Sequence, residues 1–328
     1  MTRDGAGPGA APAPHDARGL RSLAAARGAL ADLPDCVAPS GDSGDDLARK
    51  AAAENFPVAL RLLPRRYRAR LMAVYNFART VDDVGDEVPP DQRLRLLDEL
   101  DDDLARLYAA IGDAAGKAHT PGSLPGYAAV RGLAEVVTDC LIPEQCFRDL
   151  INANRQDQVV TRYDTFEQLL GYCALSANPV GRIVLYVFGC STPEREQLSD
   201  AICSGLQIVE HLQDVAEDLR AGRVYLPVAD MRRHGCAEGD LAGEVAPPEV
   251  RRLIAAETAR AAELIDAGAP LVRQLRGAAR VAVAGYIAGG RAAMAAIALA
   301  NYDVLAATPK PTKGRTAREL VAVLVRGR

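Results

Sequence analysis

Tryptophan is absent from this 328-residue chain, and aromatic residues of every kind make up only 5%. Such scarcity argues against an all-β barrel and against a surface that stacks nucleic-acid bases. No basic excess exists either: 39 basic side chains face 43 acidic ones, a net charge of −4, so nucleic acid is not an expected partner. Lysine is nearly missing, with only Lys50, Lys117, Lys310 and Lys313 among the basic residues, a bias of coding rather than of function. The seven cysteines (Cys36, Cys140, Cys146, Cys173, Cys190, Cys203, Cys236) form no CxxC pair. No zinc site is therefore expected, and most of these thiols read as small buried hydrophobes. No apolar h-region opens the chain, so a signal peptide is not expected, and a reducing cytoplasm is the simplest compartment. No GxGxxG sits in a βαβ context, so no NADPH is expected.

What is present is helical. Apolar residues make up 49% and recur at helical spacing, as in Leu71, Val74, Tyr75 and Ala78. Gly and Pro cluster at Pro89-Pro90, Gly112 to Pro125, Pro143, Pro179, Pro193, Pro227 and Pro247-Pro248, cutting the chain into segments. An all-α fold of about ten helices is expected, with a single helical domain over 46–307. Residues 1–45, rich in Gly, Ala, Pro and Asp, read as a disordered tail. Residues 308–328 read as a basic tail that opens on Pro309-Lys310-Pro311 and closes with one helix. The most apolar stretch, Val281 to Ala300, carries Arg291 and Gly285, Gly289 and Gly290. A central charge is costly in a bilayer, so this segment reads as a buried helix lining a cavity.

Two acidic patches carry the chemistry. Asp82 and Asp86 stand at i and i+4, with Arg79 on the same helix face. Asp214 and Asp218 repeat the spacing and extend a stripe from Gln207 through Glu210 or His211, with Arg220, Arg223 and Tyr225 just beyond. Like charges at this spacing destabilise a helix by a few tenths of a kcal/mol. A chain that does so twice beside apolar faces is expected to neutralise them with cations. Oxygen-only clusters suit Mg²⁺, with Mn²⁺ as a substitute. Mg²⁺ takes one or two carboxylates and completes its shell with waters and substrate phosphate. Two such helices face to face would hold a diphosphate, with arginines on the remaining oxygens. A ferritin-like di-metal bundle needs Glu-x-x-His, and Ile208 stands three residues before His211, so that motif is missing.

Other features read as structural. His211 is expected to be a hydrogen-bonded or half-exposed side chain, Asp101-Asp102-Asp103 a solvated helix face, and Cys173 and Cys203 packing residues. The final helix reads as solvated, with Lys310, Lys313, Arg315, Arg318, Arg326 and Arg328 as its charges. A weak peripheral contact with anionic lipid, through Leu320, Val321, Leu324 and Val325, is the alternative.

Taken in order, these motifs resemble the squalene/phytoene synthase family. The resemblance rests on Asn55-Phe56 with Leu62-Leu63-Pro64, then Ala73-Val74-Tyr75, Arg79 and Asp82-Asp83-x-x-Asp86. It continues through Asp157-Gln158, Gly171-Tyr172-Cys173 with Val180-Gly181, and Gln207, Asp214 and Asp218. Gly222-Arg223-Val224-Tyr225-Leu226-Pro227 and Asn301-Tyr302-Asp303 complete it. It spans about Glu54 to Ala306 and implies an all-α isoprenoid synthase fold with a central hydrophobic cavity. By the same resemblance, Asp82, Asp86, Asp214 and Asp218 bind Mg²⁺, while Tyr75, Arg79, Gln207 and Arg223 lie close to the diphosphate. Phe56 and the helix from Tyr172 to Gly181, including Ser176, line the tunnel, and Tyr225 belongs to the substrate site.

Glu54-Asn55-Phe56-Pro57 and Ser176-Ala177-Asn178-Pro179-Val180-Gly181 are similar to the hydroxysqualene synthase branch. That branch implies conversion of presqualene diphosphate and water to hydroxysqualene and diphosphate, in squalene and hopanoid formation. The isoprenoid diphosphate is then the partner, along with enzymes of the same route. Glu210 and Gln213 stand where condensing relatives commonly carry Asn and often carry Arg, which makes the site less cationic. Asn178, Glu210 or Tyr75 is expected to orient the attacking water. A condensing enzyme making presqualene diphosphate, dehydrosqualene or phytoene is the first alternative. A non-catalytic relative acting as a binding or assembly factor is the second, disfavoured because all four Asp residues are present.

Overall fold

The computed structural model describes residues 63–113 and 125–327. The tail over 1–45 and the tunnel residue Phe56 lie outside the described residues.

Fourteen α-helices and one short 3₁₀ turn make up the described chain, and its one β-feature is an isolated bridge between Arg162 and Val224. Helix α1 (Arg65–Asp86) starts after Pro64 and carries the first acidic pair; α2 (Pro90–Asp113) returns against it. Two short helices, α3 (Ala128–Arg131) and α4 (Ala134–Cys140), lead to α5 (Glu144–Asp157). Next come α6 (Phe166–Ser176) and α7 (Asn178–Val187), then α8 (Pro193–Gln213) and α9 (Val215–Arg220). After α10 (Val228–His234), the long α11 (Pro248–Gly268) and short α12 (Leu271–Gln274) precede α13 (Gly277–Leu299) and α14 (Lys313–Arg326).

Local chemistry sets several boundaries. Thr165, Thr192 and Thr312 each cap a helix by accepting from a backbone N–H three residues on, at 3.3–3.4 Å. Pro193 follows Thr192 at a position where its missing N–H costs nothing. Gly235 and Gly327 end α10 and α14 with φ of 73° and 66°, the left-handed region that glycine enters freely.

Two apolar clusters form the core. One gathers around α1, α2, α4 and α5, with Phe77 and Phe147 edge to face at 5.2 Å. The other gathers around α8, α11 and α13. Helices α8 and α11 approach closely because Gly205 and Gly268 lie at their contact. A Cβ on Gly268 would stand 2.3 Å from the Leu198 carbonyl oxygen. Helix α13 is long and apolar enough to cross a membrane, yet Ala282, Ala284, Ile287, Ala288, Ala292 and Ile297 are fully buried in the core. The chain thus uses it as the expected core helix.

Three expectations are corrected. The Asp101–Asp103 triplet is a solvated face only at Asp102, which is exposed. Asp101 receives Arg148 at 2.8 Å and Arg155 at 3.0 Å, and buried Asp103 accepts the Tyr127 backbone N–H at 2.6 Å. The arginines come from α5, more than forty residues away, which periodicity within α2 cannot reveal. The expected helix from Tyr172 to Gly181 breaks at Ala177, because Pro179 cannot donate the N–H that a continuous helix needs. The last helix is not simply solvated: Val323 is fully buried, Leu320 and Leu324 pack on the core, and Arg280 donates to the Leu324 carbonyl at 2.8 Å. Only Val321 and Val325 of its four apolar residues named above remain exposed.

Candidate active site

Helix α1 delivers the first acidic pair with its supports in place. Asn154 of α5 donates to the Asp82 carboxylate at 3.0 Å. That approach needs Gly85, since a Cβ there would lie 2.1 Å from the Asn154 side-chain oxygen. Gln158, one turn further along, donates to the Gly85 carbonyl at 3.1 Å. Desolvation pushes the Asp82 carboxyl up to about 7; the Asn154 bond opposes this and the Asp86 charge adds to it. Arg79 pairs with Asp83 at 2.7 Å and Glu87 at 3.0 Å. Burial alone would lower its pKa, but these neighbours hold it above the usual value. Tyr75 stands a turn before Arg79, close enough to act on its charge.

The second acidic segment is not one continuous helix, as its sequence pattern implied. Helix α8 ends at Gln213, and Asp214, with φ −106° and ψ 13°, both ends α8 and starts α9. The hydrogen bonding nonetheless runs through: Asp214 donates to the Glu210 carbonyl at 3.0 Å and accepts from the Asp218 N–H at 2.8 Å. Burial, then the charges of Asp218 and Glu217, raise the Asp214 pKa.

Arg223 joins the two segments. Its guanidinium reaches Asp86 on α1 at 2.8 Å, while its backbone N–H donates to the Asp218 carbonyl, also at 2.8 Å. Beside it lies a polar cluster centred on Asp157, a residue that sequence reasoning quoted in a motif and gave no role. Asp157 accepts from Tyr172 at 2.7 Å and from Tyr225 at 3.2 Å. Burial raises its pKa, opposed by the Tyr172 hydrogen bond and by Arg223. His211 stacks on Tyr225 with centroids 3.7 Å apart, lies 3.2 Å from the Gln207 amide, and sits 3.7 Å from Asp218. Tyr172 and Tyr225 thus turn their hydroxyls to Asp157. They are absent from the wall of the cavity described next, where Tyr172 had been expected. The Asp157-Gln158 motif was the visible signal for this cluster.

The cavity, of about 220 Å³, opens between the end of α6, α7, α8 and α13. Its wall is mainly apolar, with Val180, Val184, Leu206, Val209 and Ala293, and it carries the expected Ser176, Gln207 and Glu210. Gly289 leaves open space on the α13 side, whereas Leu206 packs closely on Gly290, its Cδ2 2.5 Å from where a Cβ would stand. Asn178 is not on this wall: it is buried and accepts from Ser204 at 2.9 Å, tying α7 to α8. Tyr286 and Cys203 also line the cavity and were not anticipated as site residues. A lone Tyr in an Ala- and Gly-rich helix was the signal available.

Among the described residues, no three His, Cys, Asp or Glu side chains come together as a ready metal cage. The arrangement is instead two carboxylate pairs joined through Arg223, which bonds Asp86 by its guanidinium and the Asp218 carbonyl by its backbone N–H. Buried Asp218 Oδ2, Arg79 Nε and Arg223 Nε there have no hydrogen-bond partner. An acceptor and two donors left in this state fit an anion held with cations between the two segments.

The all-α fold, with an apolar cavity between its helices, is that of an isoprenoid synthase. The chain belongs to the squalene/phytoene synthase family, whose model matches residues 49–315. It is 35% identical to a hydroxysqualene synthase of Rhodopseudomonas palustris, across 68% of this chain and 72% of that protein. It is 32% identical to the hydroxysqualene synthase of Sinorhizobium fredii, across 72% and 75%. Among solved structures, squalene synthase HpnC from Alicyclobacillus acidocaldarius aligns with a TM-score of 0.69 and 37% identity, covering 82% of this chain and 95% of that one.

Proposed function

We propose that this protein is a hydroxysqualene synthase, converting presqualene diphosphate and water to hydroxysqualene and diphosphate. The observation that carries the reading is Glu210 as the one acidic residue on the wall of a mainly apolar cavity, one turn before Asp214. The relatives named hydroxysqualene synthase support it.

The substrate's C–O bond to diphosphate breaks with the electron pair leaving on the diphosphate. Arg79 and Arg223 hold diphosphate oxygens through their unpaired Nε groups, and the apolar wall excludes bulk water from the cation left behind. The cyclopropyl ring opens, a water oxygen adds to the allylic cation, and Glu210 accepts the proton released. Asp82, Asp86, Asp214 and Asp218 are the residues that would hold Mg²⁺, an all-oxygen set that suits a hard cation. When bound, the ions supply positive charge that offsets the charge developing on the departing diphosphate.

Head-to-head condensation asks for more cationic charge than this mouth offers, because two diphosphates must be neutralised side by side. Arg79 is already shared between Asp83 and Glu87, and Arg223 is engaged by Asp86. Incubation with Mg²⁺ and either presqualene diphosphate or farnesyl diphosphate separates the readings. Presqualene diphosphate is expected to disappear and farnesyl diphosphate to remain. The opposite pattern makes the protein a condensing enzyme, and consumption of neither makes it a binding factor.

A further inference from the structure

The segment after α13 is held in place by an ordered set of hydrogen bonds. Asn301 and Tyr302 turn the chain with two consecutive left-handed residues, at φ 54° and 58°. Such a turn is strained for residues other than glycine and persists only where its surroundings hold it. Asp303 does that holding. One carboxylate oxygen accepts the backbone N–H groups of Ala246, Leu305 and Ala306 at 3.0–3.3 Å, and the other receives Arg251 at 2.6 Å. Val304 and Leu305 then sink into the core. Pro309 is buried too, and its carbonyl accepts from the side-chain amide of Gln213, itself 6% exposed and the residue just before Asp214.

Between Pro309 and Pro311 stands exposed Lys310. Both prolines have fixed φ, and Pro311 restricts Lys310 itself to extended backbone. The lysine therefore projects from a stiff bracket rather than a mobile tail. With the Gln213 side chain bonded to the Pro309 carbonyl, Lys310 follows directly on an anchor held by the residue next to Asp214.

We propose that Lys310 is a diphosphate-binding residue, brought to the second acidic segment by the Gln213–Pro309 hydrogen bond. The inference rests on the reading of this mouth as a diphosphate site. It assigns the basic segment after α13 a place in that site, where sequence reasoning had seen only a solvated or lipid-facing tail. A lysine ammonium acts as a point charge on phosphate oxygen without demanding bidentate geometry, which suits a group arriving from a loop.

Calorimetric titration of the full chain with pyrophosphate in excess Mg²⁺ tests this without turnover, so the result is independent of which isoprenoid the enzyme consumes. Lys310→Ala is expected to weaken binding about 10-fold or more, the effect of one charge-assisted hydrogen bond. Lys310→Arg should stay within about 3-fold of the parent, because it keeps the charge. Gln213→Ala should reproduce most of the Lys310→Ala loss, and the double variant should lose little more, since both changes break one device. Lys313→Ala, an exposed change at the start of α14, should leave affinity unchanged. Equal affinity of Lys310→Ala and the parent overturns the proposal. So does an equal small loss in Lys310→Ala and Lys313→Ala, which would mean bulk charge alone, or a parent that binds no pyrophosphate.

Discussion

Exchange of Asp82 or Asp214 for Asn lowers turnover of presqualene diphosphate by about 10²–10³-fold in each case, the usual loss when one element of transition-state charge stabilisation is removed. Folding should survive both changes. Asn keeps the shape of the side chain, and Asp82 stands at an exposed position of α1, so the change leaves no buried group unpaired. The Asn154 amide, bonded to that carboxylate at 3.0 Å, retains an oxygen partner in the variant. Helical circular dichroism and the urea midpoint should therefore remain at parental values while rate collapses. Unchanged turnover in both variants removes these aspartates from the mechanism.

Gly268→Val is expected to have the largest effect on stability, about 3 kcal/mol, with a lower urea midpoint. Its Cβ would stand 2.3 Å from the Leu198 carbonyl and 3.0 Å from the Ile202 N–H, both backbone atoms that cannot rotate away. Helix α8 would have to move off α11, and α8 carries Gln207 and Glu210 of the cavity wall, so activity should fall with stability. Gly171→Ala is the contrast. Gly171 is exposed within α6, with nothing within 4 Å of a new Cβ, so alanine should stabilise by about 0.5–1 kcal/mol through helix propensity. Equal urea midpoints for the two variants would contradict the close-packing account.

The split between what could and could not be read from the sequence follows the range of the interactions involved. The acidic pairs were legible because i, i+4 spacing is local and like charge on one helix face demands an explanation. The burial of 281–300 was legible because Arg291 argued against a bilayer, and it pairs with Asp266 of α11 at 2.5 Å. The helix break at Asp214 was not legible, since the acidic spacing continues across it, whereas the break at Ala177 was signalled by Pro179, which the expected helix from Tyr172 to Gly181 ran across. Partners that arrive from elsewhere in the chain were also hidden: Asn154 on Asp82, Arg148 and Arg155 on Asp101, and Pro309 on Gln213. Asn178 shows the same limit from the other side. Its motif suggested a water-orienting role, but only the fold reveals that its side-chain oxygen is occupied by Ser204.

The central claim is that this cavity adds water to a carbocation derived from presqualene diphosphate. Its most direct test is mass analysis of the C30 product formed by the purified protein with Mg²⁺ and presqualene diphosphate in ¹⁸O-water. An alcohol carrying the heavy isotope is the expected result. A hydrocarbon product, or an alcohol without the label, would contradict the account.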